Sequence, residues 1–277
     1  MVAAGAEPAL DAAEFQAIAG ILRAETGIAL PSTKRQLVFS RLSRRLRALG
    51  LPDFGSYAAL VGGPAGSDEL RLMISALTTN VTSFFREMHH FETLRDTVLP
   101  PLVARARTGG RIRLWSAGCS SGEEPYSIAM VLLDLCPEAA RLDIRLLASD
   151  VDPQILARAE AGLYDAEALE TLPAERRRRW FRDEGDCARI TPDLAAPIRF
   201  RELNLSTDWP VKGPFDAIFC RNVAIYFDRE VQDRVWAGFA RLLEPGGHLF
   251  IGHSERVTGP AADLLRPAGI TTYIRPG

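Results

Sequence analysis

Residues 111–127 read RIRLWSAGCSSGEEPYS. An apolar run of strand length leads into a turn of small residues, Ala117, Gly118, Cys119, Ser120, Ser121 and Gly122, and then into a stretch of helical pattern. Strand, tight turn and helix in this order open an alternating β/α sheet. Small residues in the turn let a ligand approach the backbone, at the crevice where doubly wound sheets take nucleotides. The turn has neither the Gly-x-Gly-x-x-Gly spacing of dinucleotide binders nor the Gly-Lys-Ser/Thr of a phosphate loop. Glu123 and Glu124 also put two carboxylates where a phosphate wants bare amides. A phosphate-bearing ligand is therefore disfavoured.

Downstream, the alternation predicts strands over 112–116, 144–149, 198–202, 215–220 and 248–252, with helices over 124–135, 153–161 and 229–243. The stretch 163–197 is too long for a simple connection and is expected to hold an inserted minor β-subdomain. The second strand ends in Ala148-Ser149-Asp150. An acid there is placed to hydrogen-bond a ribose diol. It also suits the cap of the helix that Pro153 starts, and the two roles are compatible. Upstream, Phe15, Ile18 and Leu22, then Val38, Leu42, Leu46 and Leu49, then Leu70, Met73, Ile74 and Leu77 recur at helical spacing. The expected organisation is a mobile tail over 1–10, a helical domain over 11–83, a linker helix over 84–110 whose helical stretch ends at Pro100-Pro101, and an α/β domain over 111–277.

Composition narrows the function. The 277 residues carry 33 Lys+Arg and 35 Asp+Glu, a net charge of −2, which argues against whole-surface nucleic-acid binding. The four cysteines are far apart and form no Cys-x-x-Cys pair, as expected of reduced thiols in a cytosolic protein. The N-terminus lacks the basic start and apolar stretch of a signal peptide, and no apolar run is long enough to span a membrane. His89-His90 and His253 imply no metal site, because adjacent histidines on a helix are expected to point apart and no acid or thiol completes a set. The segment 34–47 holds six basic residues and no acid, with Arg44 and Arg47 opposite the apolar stripe and Lys34, Arg41 and Arg45 flanking it.

Several further stretches carry an uncommon composition: TNVTSFFRE at 79–87, GEEPYS at 122–127, Ala148-Ser149-Asp150, Asn204-Leu205, GPFDAIFCRNVAIYF at 213–227 and GHSE at 252–255. In this order and at these spacings, over about residues 11–275, the chain resembles the CheR family, S-adenosylmethionine-dependent methyltransferases that esterify glutamates of bacterial chemoreceptors. The resemblance implies a Rossmann-like methyltransferase domain with a small all-helical N-terminal domain. It implies that Asn80, Thr82 and Arg86 reach the methionine end of the cofactor with Glu124 nearby, that Asp150 holds the ribose, that Asn204 and Leu205 border the adenine, and that Arg221 and Asn222 close the pocket above the Gly118 turn. The sequence leaves open which of Glu123 and Glu124 faces the ligand; Glu124 is preferred. Arg86 is expected to orient the cofactor or the substrate carboxylate, and Tyr226, after the fourth strand, to help position the acceptor. A carboxylate is already ionised at pH 7, so the absence of a His or Cys dyad is no objection.

The same resemblance makes the cytoplasmic helical domain of a chemoreceptor the expected partner, docked through Lys34, Arg41, Arg44, Arg45 and Arg47, with no nucleic acid, no membrane insertion and a monomeric enzyme. Some members of the family grip a receptor C-terminal peptide with a glycine-bearing loop in the inserted subdomain. The corresponding stretch here, about 181–198, is short, and no peptide tether is expected.

Overall fold

The computed structural model describes residues 9–277, so most of the expected tail lies outside the described residues. Leu10 is already buried. The chain divides into two compact units, one reaching to Thr79 and including Tyr226–Asp228, the other formed by the rest.

The first unit is helical: α1 (Ala12–Thr26), α2 (Arg35–Ala48), α3 (Phe54–Val61) and α4 (Ser67–Leu77). α1 starts at a reciprocal cap in which Asp11 accepts the Glu14 N–H at 2.7 Å and Glu14 accepts the Asp11 N–H at 2.9 Å. It stops at Gly27, whose φ of 75° is the left-handed value that favours glycine. Phe15, Ile18 and Leu22 pack with Val38, Leu42 and Leu46 and with Met73, Ile74 and Leu77. Leu49, placed on the apolar stripe by its spacing, is exposed, because α2 ends one residue earlier.

The second unit begins before its sheet. α5 (His89–Thr93), a π turn over Leu94–Val98 and α6 (Leu99–Arg107) run on continuously. The helix starts later than its expected limit of 84 and does not end at Pro100-Pro101: it runs through them to Arg107, the two prolines following directly on the π turn over Leu94–Val98, where the regular helical ladder is already interrupted. β1 (Arg111–Ala117), α7 (Glu123–Leu135), β2 (Asp143–Asp150) and α8 (Pro153–Ala161) follow. The inserted part holds β3 (Leu163–Asp165), α9 (Ala174–Trp180), β4 (Phe181–Glu184), β5 (Cys187–Ile190) and α10 (Pro192–Ala195), its three strands forming a small antiparallel sheet in the order β3-β5-β4. The chain then returns through β6 (Ile198–Glu202), β7 (Phe215–Cys220), α11 (Arg229–Leu242), β8 (Leu243–Ile251), α12 (Ala261–Leu264), β9 (Arg266–Gly269) and β10 (Thr272–Ile274).

The main sheet has the order β6-β2-β1-β7-β8-β10-β9, its first five strands parallel, β10 antiparallel to β8 and β9 antiparallel to β10. It is the mixed sheet of a Rossmann-like domain. The strand order reverses between β1 and its neighbours β2 and β7, which places the Ala117–Gly122 turn at the switch point, where such sheets bind ligands.

Candidate functional site

Five segments of the second unit converge on the ends of β1, β2, β6 and β7: the approach to α5, the turn after β1, the end of β2, the turn after β6 and the turn after β7. Gly118 adopts φ 82°, and a Cβ there would lie 2.3 Å from Val223 Cγ2, so the residue must be glycine for two independent reasons. The turn also carries Ser120 in the left-handed region, at φ 50°. Its N–H donates to Asp150 Oδ2 at 2.8 Å and its hydroxyl to the Asn80 carbonyl at 3.0 Å. The Asn80 side-chain N–H donates to Asp152 Oδ2 at 3.0 Å, so Asn80 is tied to both strand ends.

Asp150 is 9% exposed, and its Oδ1 takes the Asp152 N–H at 3.1 Å. It does not cap α8. That role falls to Asp152, whose Oδ1 accepts from Gln154 and Ile155. Burial pushes the Asp150 carboxyl up to about 6, against the backbone N–H groups of Asp152, Ser120 and Val151 that favour its ionised form. Leu203 N–H donates to the Asp150 carbonyl at 2.9 Å, which sets Asn204 and the buried Leu205 directly after it. Asn204 Oδ1 accepts from the Ser206 N–H and hydroxyl, closing a tight turn.

Glu123 and Glu124 are both buried and separate clearly. Glu123 accepts the Ser121 hydroxyl at 2.7 Å. Glu124 accepts the Ser116 hydroxyl at 2.7 Å and Arg221 Nη1 at 3.1 Å. Neither caps α7, which starts on Gly122 in the left-handed region. Burial raises both carboxyls, and for Glu124 the Arg221 guanidinium opposes the rise without cancelling it.

Arg221 is the hub. Besides Glu124 it lies 3.7 Å from Glu87 Oε2, donates to the Arg86 carbonyl and stands over the Phe91 ring. Burial disfavours the Glu87 carboxylate, but Arg221 and His253 outweigh it and hold Glu87 below the usual range. Thr82 and Arg86 are half-buried on the same approach, and the Arg86 guanidinium donates to the Val81 carbonyl at 3.1 Å. Asn80, Arg86, Gly118, Glu124, Asp150, Asn204, Leu205, Arg221 and Asn222 are thus set on the segments that converge here. Tyr226 lies beyond β7, which ends at Cys220, in the Tyr226–Asp228 piece grouped with the helical unit, and its carbonyl accepts the Ala29 N–H at 2.8 Å.

The sequence assigned no role to Glu255. Its carboxylate is 6% exposed and accepts four backbone N–H groups: Gly252 at 2.6 Å and Asn222 at 2.9 Å on one oxygen, Ala224 at 2.8 Å and Val223 at 3.0 Å on the other. The N–H groups of 222–224 form an anion-binding nest that this side chain fills. Asn222 sits at φ 61°, outside the region that side-chain-bearing residues prefer. GHSE was visible as a motif, but the partners are backbone donors, which leave no mark on residue identity.

The expectation that His89 and His90 point apart fails. Their rings lie 4.1 Å apart, and ligand-capable atoms of Glu87, His89 and His90 fall within 4.8 Å of one another. Both side chains lean toward the N-terminus of α5, where His90 Nε2 meets the Thr271 hydroxyl at 2.8 Å. Burial first, then Arg221, lowers His90 to about 3, so it is neutral at physiological pH. The positive charge beside Glu87 is the Arg221 guanidinium.

Two of the five residues expected to dock a partner are committed within the helical unit. Arg41 Nη1 donates to the carbonyls of Ala76, Leu77 and Thr78 at the end of α4. Arg45 makes a two-point pair with Glu69, at 2.9 and 2.5 Å. Lys34, Arg44 and Arg47 are exposed.

Residues 13–78 match the CheR methyltransferase all-alpha domain and residues 80–274 the CheR methyltransferase SAM-binding domain. The chain is 52% identical over 257 residues to a probable chemotaxis protein methyltransferase of Rhizobium etli, covering 91% of this chain and 96% of that protein. It is 46% identical over 270 residues to a chemotaxis protein methyltransferase of Klebsiella aerogenes, covering 95% and 90%. With the chemotaxis protein methyltransferase of Escherichia coli it shares 45% identity over 252 residues, 89% of this chain and 85% of that protein. The residues fit S-adenosylmethionine as cofactor. Asn222 Oδ1 and Arg221 Nε are buried without a partner among the described residues, and a polar amino-acid end answers such atoms. An S-adenosylmethionine-dependent methyltransferase of chemotaxis, this chain belongs to the CheR methyltransferase family.

Proposed function

We propose that the chain methylates glutamate side-chain carboxylates of bacterial chemoreceptors, giving methyl esters and S-adenosylhomocysteine for sensory adaptation. The observation that carries this reading is Arg86. The acids on the converging segments are each held by donors of the chain, Glu87 and Glu124 by Arg221, Glu123 by the Ser121 hydroxyl and Asp150 by backbone N–H groups, whereas the half-buried Arg86 guanidinium donates to the Val81 carbonyl and has no carboxylate partner among the described residues. A planar, permanently charged fork of this kind suits a substrate carboxylate.

The cofactor supplies a methyl group made electrophilic by its sulfonium. The acceptor is ionised near neutral pH, so the protein need not remove a proton, and its work is orientation. On this reading Asn80, Thr82, Arg86, Glu124, Arg221 and Asn222 surround the methionine end, the Gly118 turn gives backbone access, Asp150 takes the ribose hydroxyls, and Asn204 and Leu205 border the adenine. The exposed Lys34, Arg44 and Arg47 meet an acidic helical bundle of the receptor in the cytoplasm. β4 and β5 are joined by Gly185 and Asp186 alone, with Gly185 at φ 70°. So short a turn offers no loop to enclose a peptide, which supports action without a receptor tether.

The test is transfer of labelled methyl to the receptor's cytoplasmic fragment, followed by alkali and collection of methanol. Volatile label is expected, and Arg86→Ala should lower transfer at saturating cofactor by on the order of 100-fold. Alkali-stable label would mean that another atom is methylated.

A further inference from the structure

Parallel strands are ordinarily covered on both faces. In the second unit one face of β1, β2 and β6 is covered: Ile112, Leu114, Ile144, Leu146, Ala148 and Ile198 lie in the main core. The opposite face is covered only in part. No helix lies between β6 and β7, and the coil that joins them places Trp209 edge-on to Trp115, at a ring separation of 5.4 Å, and against Phe239 of α11 at 4.9 Å. That cover stops at Trp115.

Beyond it, the strand alternation and register set five arginines on one surface. Arg111 and Arg113 come from β1, Arg145 from β2, and Arg199 and Arg201 from β6, with the half-buried Leu147 among them. Arg113 stands opposite Arg145, Leu147 opposite Arg199 and Ser149 opposite Arg201. Asp143 is the one exposed carboxylate of these strands on this face, and Arg113 takes both its oxygens, at 2.8 and 2.9 Å. The neighbouring Asp216 is buried and already accepts Arg105 and the Arg113 N–H. Arg145, Arg199 and Arg201 donate only to carbonyls of their own or nearby residues. Like charges directly opposite on a sheet are destabilising, so the isolated fold gains nothing from this arrangement.

We propose that this face docks one acidic α-helix of a partner protein, in the place of the covering helix that the chain lacks after β6. Three strands spaced about 4.8 Å apart span about 10 Å, the width of one helix with its side chains. Carboxylates on such a helix complement the arginine forks, and an apolar residue between them meets Leu147. A nucleic acid fits less well, because the net charge of −2 gives the molecule no broad positive field to attract it.

The experiment uses the full chain and a fluorescent helical peptide about 20 residues long, with glutamates on one face around a central leucine. The same peptide with Gln for Glu and a single-stranded RNA of similar length serve as comparisons. The Glu peptide is expected to bind, and to bind at least about tenfold more weakly to Arg145→Gln/Arg199→Gln/Arg201→Gln, while Tm is unchanged or raised and receptor methylation is retained. The single variants Arg145→Gln and Arg199→Gln should each show part of the loss, so the result does not hang on the triple variant. No binding of the Glu peptide, equal binding by the variants or by the Gln peptide, or tighter binding of the RNA lost in the same variants would overturn the proposal.

Discussion

Replacing Glu255 by glutamine keeps its shape and removes its charge, and the structure says what should follow. The carboxylate now accepts four backbone N–H groups, two per oxygen, over 2.6 to 3.0 Å. A glutamine leaves one oxygen to accept two of them and turns an NH₂ group toward the other two. Two hydrogen bonds to a charged acceptor are lost, at about 1.5–3 kcal/mol each, or about 3–6 kcal/mol together. The turn they hold carries Asn222 at φ 61°, a conformation costing about 1 kcal/mol that persists only while its surroundings enforce it. Gly252 closes the same contact, since a Cβ there would lie 2.6 Å from Asn222 Nδ2. If about half of the loss appears as misplacement of Arg221 and Asn222, S-adenosylhomocysteine should bind about 10- to 100-fold more weakly, with the remainder read as a lower Tm. Calorimetric titration at a temperature where circular dichroism shows the variant folded measures this directly. Binding within threefold of the parent would refute the claim that the nest around Glu255 positions the cofactor residues.

Two further outcomes follow from charged groups. Asp150 is shifted from an ordinary 3.8 to about 6 by burial, with the Asp152 carboxylate adding to the rise. The native state therefore binds more protons than the unfolded chain between these values, and this residue's contribution to the stability of the cofactor-free protein falls as pH rises through that window, by about 3 kcal/mol in total. Cofactor affinity should run the other way and weaken as pH drops through about 6, because ribose hydroxyls donate to the ionised form; Asp150→Asn should flatten that dependence in a titration from pH 5 to 8. In the helical unit, Arg41→Ala should lower Tm, by about 1–2 kcal/mol of stability, because it strips three carbonyls at the end of α4 of their cation. Lys34→Ala/Arg44→Ala/Arg47→Ala should leave Tm in place and raise KM for receptor fragments about threefold to tenfold at low salt, a difference that high salt erases.

What the sequence made legible and what it hid divide along a physical line. β1, β2, β6 and β7 appear at or within one residue of their expected limits because each is an apolar run or, as in the IRFRE of β6, an apolar/polar alternation. β9 does not announce itself: Arg266–Gly269 is exposed throughout, has no alternation, and is a strand only because β10 pairs with it. The same contrast holds in the site. Asp150, Glu124 and Arg221 stand in motifs whose side chains meet other side chains or the switch-point turn. Glu255 escaped assignment because its partners are four N–H groups. The charge run on α2 misled for a related reason, since nothing in a helical pattern tells an arginine facing water from Arg41, whose partners are carbonyls some 35 residues away, or from Arg45, paired with Glu69.

On the proposed reading, these placements also bear on how a glutamate carboxylate would enter the site and its ester leave it. Glu124, Asp150 and Glu255 are buried acids raised by their surroundings, each held by donors from within the chain. Arg221, the buried cation, is shared between Glu124 and Glu87 and has no charge to spare. An incoming glutamate therefore meets a pocket whose fixed negative charges repel it, unless Arg86 supplies the compensating positive charge. Methylation cancels the charge of the acceptor, and with it the pairing to Arg86, so the product loses the interaction that drew the substrate in. The asymmetry favours release after each transfer and needs no moving part. It also ties two properties to one residue: the Arg86→Ala variant that loses transfer should no longer bind a Glu-bearing receptor fragment more tightly than its neutral Gln counterpart, and a preference that survived that substitution would place the discriminating charge elsewhere.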